Sequence, residues 1–392
     1  MKAGRRAFLT ALAGTVAVGA LGWLAVGRVL RPSPSASARR DAISVRDALG
    51  GAPEGFARAT QARDLRFPQD HGPHPEYRSE WWYFTGNLAD QGGRRFGFQL
   101  TVFRFALAPD PPARTSAWAA RQVYMGHLAV SDVAARRFQA FERVSREALG
   151  LAGATDDPLR VWVEDWSVQA LPEGDGLRLN AGEAGVGLDL TLRPAKPLVL
   201  QGDRGLSQKS AEPGNASYYY SYTRMSAAGQ IQAGGEVVPV EGFAWMDREW
   251  GTSALGPDQV GWDWFALQLG DGRDLMFYRL RRRDGTVDPF SQGSVVQADG
   301  TARALRAEDV AVEVLAQWVS PRDGARYPAR WRLRVPSESL DLTVEPLLAD
   351  QELLLSVRYW EGAVRATGTS GGRPVAGYGY VELTGYSRER SG

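Results

Sequence analysis

From Glu80 to Tyr386 the chain is a succession of short apolar-alternating segments broken by glycine turns, and that pattern leaves β-sheet as the dominant architecture. Phe96, Phe98, Leu100 and Val102 alternate with small or polar neighbours, the period of a strand with one buried face. Strands are predicted over 82–88, 95–104, 124–130, 160–168, 176–180, 186–192 and 218–225, then over 242–247, 262–269, 274–281, 331–335, 359–368 and 374–386. Asp271-Gly272 and Asp284-Gly285 read as tight hairpin turns. The best amphipathic helix is a short stretch at 143–151.

The halves resemble each other. Trp82-Tyr83-Phe84 precedes a glycine turn and a Phe-rich strand, and Trp262-Asp263-Trp264-Phe265 precedes a glycine turn and Leu275-Met276-Phe277-Tyr278. With 392 residues available, this predicts an all-β protein of two consecutive antiparallel barrels, over 60–232 and 236–390. The boundary is placed in the Gly- and Gln-rich stretch 227–235. A barrel of about eight strands has room inside for side chains or one small ligand.

Composition narrows the chemistry. With no cysteine, disulfides, thiolate metal sites and cysteine nucleophiles are excluded. The three histidines, His71, His74 and His127, make a histidine-rich metal site unexpected, and no cofactor motif is present. A net charge of +1, with arginines scattered among acids, argues against nucleic acid as a partner.

Arg5-Arg6-Ala7-Phe8-Leu9, followed by an apolar run over 11–26, has the form of a twin-arginine export signal, with Ala36-Ser37-Ala38 as the cleavage candidate. Residues 1–38 are thus assigned to signal and linker, and the expected location is periplasmic or extracellular. The alternative is an uncleaved membrane anchor, although about 16 apolar residues are short for a span of roughly 20.

Several motifs in order resemble the carotenoid 1,2-hydratase (hydroxyneurosporene synthase) and AttH-like lipocalin family. They are His71-Gly72-Pro73-His74 leading to Glu80-Trp81-Trp82-Tyr83-Phe84-Thr85-Gly86, Gly126-His127-Leu128-Ala129, Tyr218-Tyr219-Tyr220-Ser221, Gly242-Phe243-Ala244-Trp245-Met246-Asp247-Arg248-Glu249-Trp250-Gly251, Trp262-Asp263-Trp264-Phe265, Tyr359-Trp360-Glu361-Gly362 and Gly379-Tyr380-Val381-Glu382. The resemblance implies two lipocalin-like barrels and either hydration of an isolated C=C bond or a role beside an ABC transporter. Carotenoid hydratases of this family often show a His-Asp pair near Trp245; here the His position is Met246.

Hydrating an alkene needs an acid to protonate carbon, aromatic faces to tolerate the cation, and water to capture it. Asp247, Glu249 and Asp263 are the catalytic candidates because they sit among large aromatics, and alternation puts Trp245, Asp247 and Glu249 on one strand face. Trp245, Trp262, Trp264, His127, Tyr83, Tyr220 and Glu80 are candidate ligand contacts. Each acid has a structural alternative, pairing with an arginine or accepting backbone hydrogen bonds. The readings carried forward are a cofactor-free hydratase or isomerase acting on a hydrophobic, isoprenoid-like or lipid ligand, a non-catalytic carrier serving a transporter, and a scaffold with filled barrels.

Overall fold

Glycine turns let successive strands fold back on one another, and the chain does so almost throughout. The computed structural model, which describes residues 54–109, 120–252 and 255–386, holds two antiparallel sheets of 13 and 10 strands. The turn glycines Gly272 and Gly285 take φ of +87° and +85°, open to glycine without the Cβ clash other residues meet.

In the first sheet, Ser79–Ala89, Arg95–Ala106, Gln122–Asp132 and Arg137–Arg146 run up and down. A second meander begins at Ala152–Asp156 and ends in the long hairpin of Ala216–Ala233 and Glu236–Gly251. The last of these strands pairs back onto Ser79–Ala89. The edge strands Arg137–Arg146 and Ala152–Asp156 then touch, so the sheet curls into a nearly closed barrel that leaves little free edge.

The second sheet repeats the plan. Gln259–Leu269 opens it and Arg373–Leu383 returns to pair with it. The two aromatic motifs noticed in the sequence thus lie on topologically equivalent opening strands.

Two expectations are corrected. Glu236–Gly251 does not open the second barrel; it closes the first, because its backbone bonds are taken by Ser79–Ala89 and Ala216–Ala233. The chain crosses between barrels after it, before Gln259–Leu269, rather than at 227–235, where the strand Ala216–Ala233 runs on to Ala233 and turns at Gly234-Gly235 into the next. The stretch 143–151 is not a helix: Arg137–Arg146 pairs with Gln122–Asp132, and only Ala148–Gly150 makes a 3-10 turn. The expected export signal lies outside the described residues.

The barrel interiors are packed with side chains. Trp82, Phe84, Trp166, Met246 and Trp250 belong to the first core; Phe265, Trp331 and Trp360 belong to the second. Between the barrels a third cluster joins Tyr83, Tyr219 and Trp245 to Trp264, Tyr278 and Tyr380. Polar staples fix this contact. Asp274 of the second sheet, fully buried, accepts from Thr223 at 2.9 Å and pairs with Arg224 at 2.6 Å and Lys196 at 2.8 Å. Gln268 donates to the carbonyls of Thr223 and Ala244, and Asn87 donates to that of Gly379.

Candidate functional site

Because each opening strand shows one face to its own barrel core, its other face is turned toward the neighbouring barrel. There the two barrels enclose a cavity of about 110 Å³. Tyr83, Phe103, His127, Tyr219, Asp247 and Glu249 line it from the first barrel, and Trp262, Trp264, Tyr278, Tyr359, Glu361 and Glu382 from the second. Half-buried Trp81, Phe103, Phe105 and Trp262 complete a largely apolar wall.

Asp247 is 4% exposed and accepts three hydrogen bonds. Ser221 Oγ donates to Oδ1 at 2.6 Å, Trp245 Nε1 to Oδ1 at 2.7 Å, and the Tyr219 hydroxyl to Oδ2. Tyr219 in turn accepts from Trp264 Nε1 at 3.2 Å. Burial pushes the Asp247 carboxyl up to about 7, against these three donors, and the Glu249 charge adds to the rise. At neutral pH the group is therefore divided between its acid and carboxylate forms.

Glu249 is differently placed. Lys209 Nζ stands 3.1 Å from its Oε1, and Ser217 Oγ donates to the same oxygen. Lys209 lies 4.2 Å from the centre of the Tyr278 ring, a cation–π contact. Burial lowers the Lys209 pKa, but Glu249 and Tyr278 more than offset this, so the ammonium is kept. Glu249 is thus an ion-pair partner at the cavity wall.

The second barrel adds two acids. Glu361 and Glu382 are directly opposite on neighbouring strands. The Tyr83 hydroxyl donates to Glu361 Oε1 at 2.5 Å, while Oε2 is buried with no hydrogen-bond partner among the described residues. Burial, then the charge of Glu382, pushes Glu361 well above the usual carboxylate range. Burial also pushes Glu382 up to about 7, with the charges of Asp247 and Glu249 adding to it and the Trp262 indole working the other way.

The remaining candidates separate by strand face. Tyr83 and Trp264 meet in the cavity wall edge-to-face, with centroids 5.2 Å apart at 81°. Trp245 stands behind Asp247. His127 lines the cavity between Tyr359, 2.8 Å from Nδ1, and Glu142, 3.2 Å from Nε2. Asp263 points the other way, where it accepts from Arg279 and the Tyr386 hydroxyl and pairs with Arg281. Tyr220 lies in the first barrel core, its hydroxyl 2.6 Å from His71 Nδ1. Glu80 is fully buried between Arg104 and Arg248 with His74 beside it, and these charges hold it well below the usual carboxylate range although burial opposes them. Met246 also faces that core, so a histidine there would be turned away from the cavity. Among the described residues, no three His, Asp or Glu side chains are grouped to hold a metal ion.

Lys209, Tyr359, Glu361 and Glu382 were not singled out by sequence reasoning as site residues. The last three fall in motifs that carried the family resemblance, and that was the available signal.

Residues 58–386 match the model of the AttH-like family. The chain belongs to that family. Among curated proteins it is 24% identical over 245 residues to a kievitone hydratase from Fusarium solani subsp. phaseoli, covering 60% of this chain and 68% of that one. A crystal structure of a candidate AttH from Nitrosomonas europaea shares 35% identity at a TM-score of 0.76, covering 85% of this chain and all of that one. The crystal structure of kievitone hydratase from Nectria haematococca superposes with a TM-score of 0.63 at 17% identity, over 85% and 96% of the two chains, and thus shares the fold. The cavity described above therefore belongs to an AttH-like, hydratase-related protein with two barrels.

Proposed function

We propose that this chain is an exported hydratase that adds water across a C=C bond of a hydrophobic, isoprenoid-like substrate without a cofactor. The observation that carries the reading is the placement of Asp247, a buried carboxyl held by Ser221, Trp245 and Tyr219 in the wall of an aromatic-lined cavity, where burial pushes its pKa up. In its acid form Asp247 delivers a proton to one alkene carbon, forming a C–H bond and leaving a carbocation on the other. The faces of Tyr83, Trp264 and Tyr219 steady that cation by roughly 0.5–2 kcal/mol per well-placed ring. A water oxygen then bonds to the cation and releases a proton. Proton delivery by a positioned acid contributes typically about 10²–10⁴-fold. A space of about 110 Å³ is of the order that holds one small ring. It suits a single unsaturated end of a longer molecule, with the rest leaving past the half-buried aromatic rim. Kinship with a protein named as a hydratase supports the same chemistry.

The test is incubation with a dimethylallyl-substituted phenol and with a linear isoprenoid in ¹⁸O-labelled water. Labelled tertiary alcohol from the intact protein, and its loss in Asp247→Asn with unchanged melting, is the expected result. Tight binding of these compounds with no labelled product would favour the carrier reading.

A further inference from the structure

Water that attacks a carbocation has to be held and relieved of a proton. Asp247 is poorly suited to that second task, since it has just become the carboxylate whose oxygens accept from Ser221, Trp245 and Tyr219. The opposite wall carries the unused groups. Glu361 and Glu382 are cross-strand neighbours on the cavity face, a placement that brings Cβ atoms to roughly 4.5–5.5 Å. Among the described residues neither is in an ion pair, unlike Glu249 with Lys209 or Asp263 with Arg279. Two carboxyls so close and without a cation cannot both ionise cheaply. One of the four oxygens, Glu361 Oε2, is buried with no hydrogen-bond partner among the described residues, and an open buried acceptor is one that an ordered water can satisfy.

We propose that Glu361 and Glu382 form the water-activating pair of the reaction. Neutral Glu361 orients the water with its free carboxyl edge, and the Glu382 carboxylate takes the proton as the water oxygen bonds to the cation. This assignment rests on the hydratase reading. The balance is closed: Asp247 loses one proton to carbon, Glu382 gains one from water, and exchange with solvent resets both. The pair has a polar connection outward, since Glu361 neighbours Tyr359, which contacts His127, which contacts partly exposed Glu142.

The experiment separates proton delivery from water capture. The full chain is incubated with a dimethylallyl-substituted phenol in D₂O, and both hydrated product and deuterium in recovered alkene are measured. Glu382→Gln is expected to lower hydration by about 10²–10⁴-fold while still exchanging deuterium into the alkene, because Asp247 protonates carbon reversibly when capture fails. Asp247→Asn is expected to lose both. Glu361→Gln, which remains neutral and able to donate, is expected to recover part of the hydration lost in Glu361→Ala. Hydration by Glu382→Gln at the intact protein's rate overturns the assignment, as does loss of exchange together with hydration in that variant. If the intact protein neither hydrates nor exchanges the probe, the hydratase reading falls and this assignment falls with it.

Discussion

Asp247 and Glu382 occupy equivalent places in the two barrels: Asp247 is the cross-strand partner of Tyr83, and Glu382 is the partner of Trp264. The next strand over continues the correspondence, with Ser221 opposite Asp247 and Glu361 opposite Glu382. The cavity lies on the seam between two copies of one plan, and each copy places a carboxyl on the strand that closes its barrel. The copies differ where chemistry differs. Asp247 has a serine as its neighbour and hydrogen-bond donor, whereas Glu382 has a second carboxyl.

The raised Asp247 pKa has a consequence for stability. The folded state binds this proton more tightly than the unfolded state, so between about pH 4 and about pH 7 the native chain holds the extra proton and loses stability as pH rises. Glu382 acts in the same direction. His71, which burial pushes down to about 4, works against them within the same window, because there the unfolded chain binds its proton and the folded chain does not. Asp70 and Glu80, also shifted downward, act in more acid solution. Urea denaturation at stepped pH should show Asp247→Asn losing less stability with rising pH across this window than the intact chain does. A slope unchanged by the substitution would place the Asp247 pKa near its ordinary value.

Tyr219→Phe removes the hydroxyl that favours the charged form of Asp247. Its carboxyl should stay protonated to higher pH. The alkaline limb of the hydration profile should therefore move upward by about 0.5–1 pH unit, for a lost charge-assisted bond worth roughly a kcal/mol. A downward shift, or none, would show that Tyr219 does not tune this acid.

Glu80→Ala should be among the most damaging substitutions, because it strands Arg104 and Arg248 in the core. Removing one partner of a buried ion pair costs about 3–5 kcal/mol. Equilibrium denaturation tests this, and a loss below about 1 kcal/mol would be incompatible with the network acting as a unit.

Replacing Arg5 and Arg6 together by lysine should retain the chain in the cytoplasm, since twin-arginine export depends on the arginine pair. Fractionation of cells expressing each form provides the measurement. Undiminished export of the double variant would point to an ordinary signal.

Much of this protein follows from local pattern. Alternation and glycine turns dictate the strands, and period two puts Trp245, Asp247 and Glu249 on one face and Met246 and Arg248 on the other, because successive side chains must leave a strand on opposite sides. Alternation does not say what covers each face. Asp263 lies between two tryptophans of the cavity wall and is for that very reason turned away from it, toward Arg279 and Arg281. Glu80 adjoins the same aromatic run and is drawn into the arginines of the first core. Glu361 and Glu382 join Asp247 only because the second barrel packs its opening and closing strands against those of the first, a contact between segments more than a hundred residues apart. That docking depends on complementary outer faces and buried staples such as Asp274 with Arg224, and it was tertiary packing that decided the cavity, its second pair of acids and their raised pKa values.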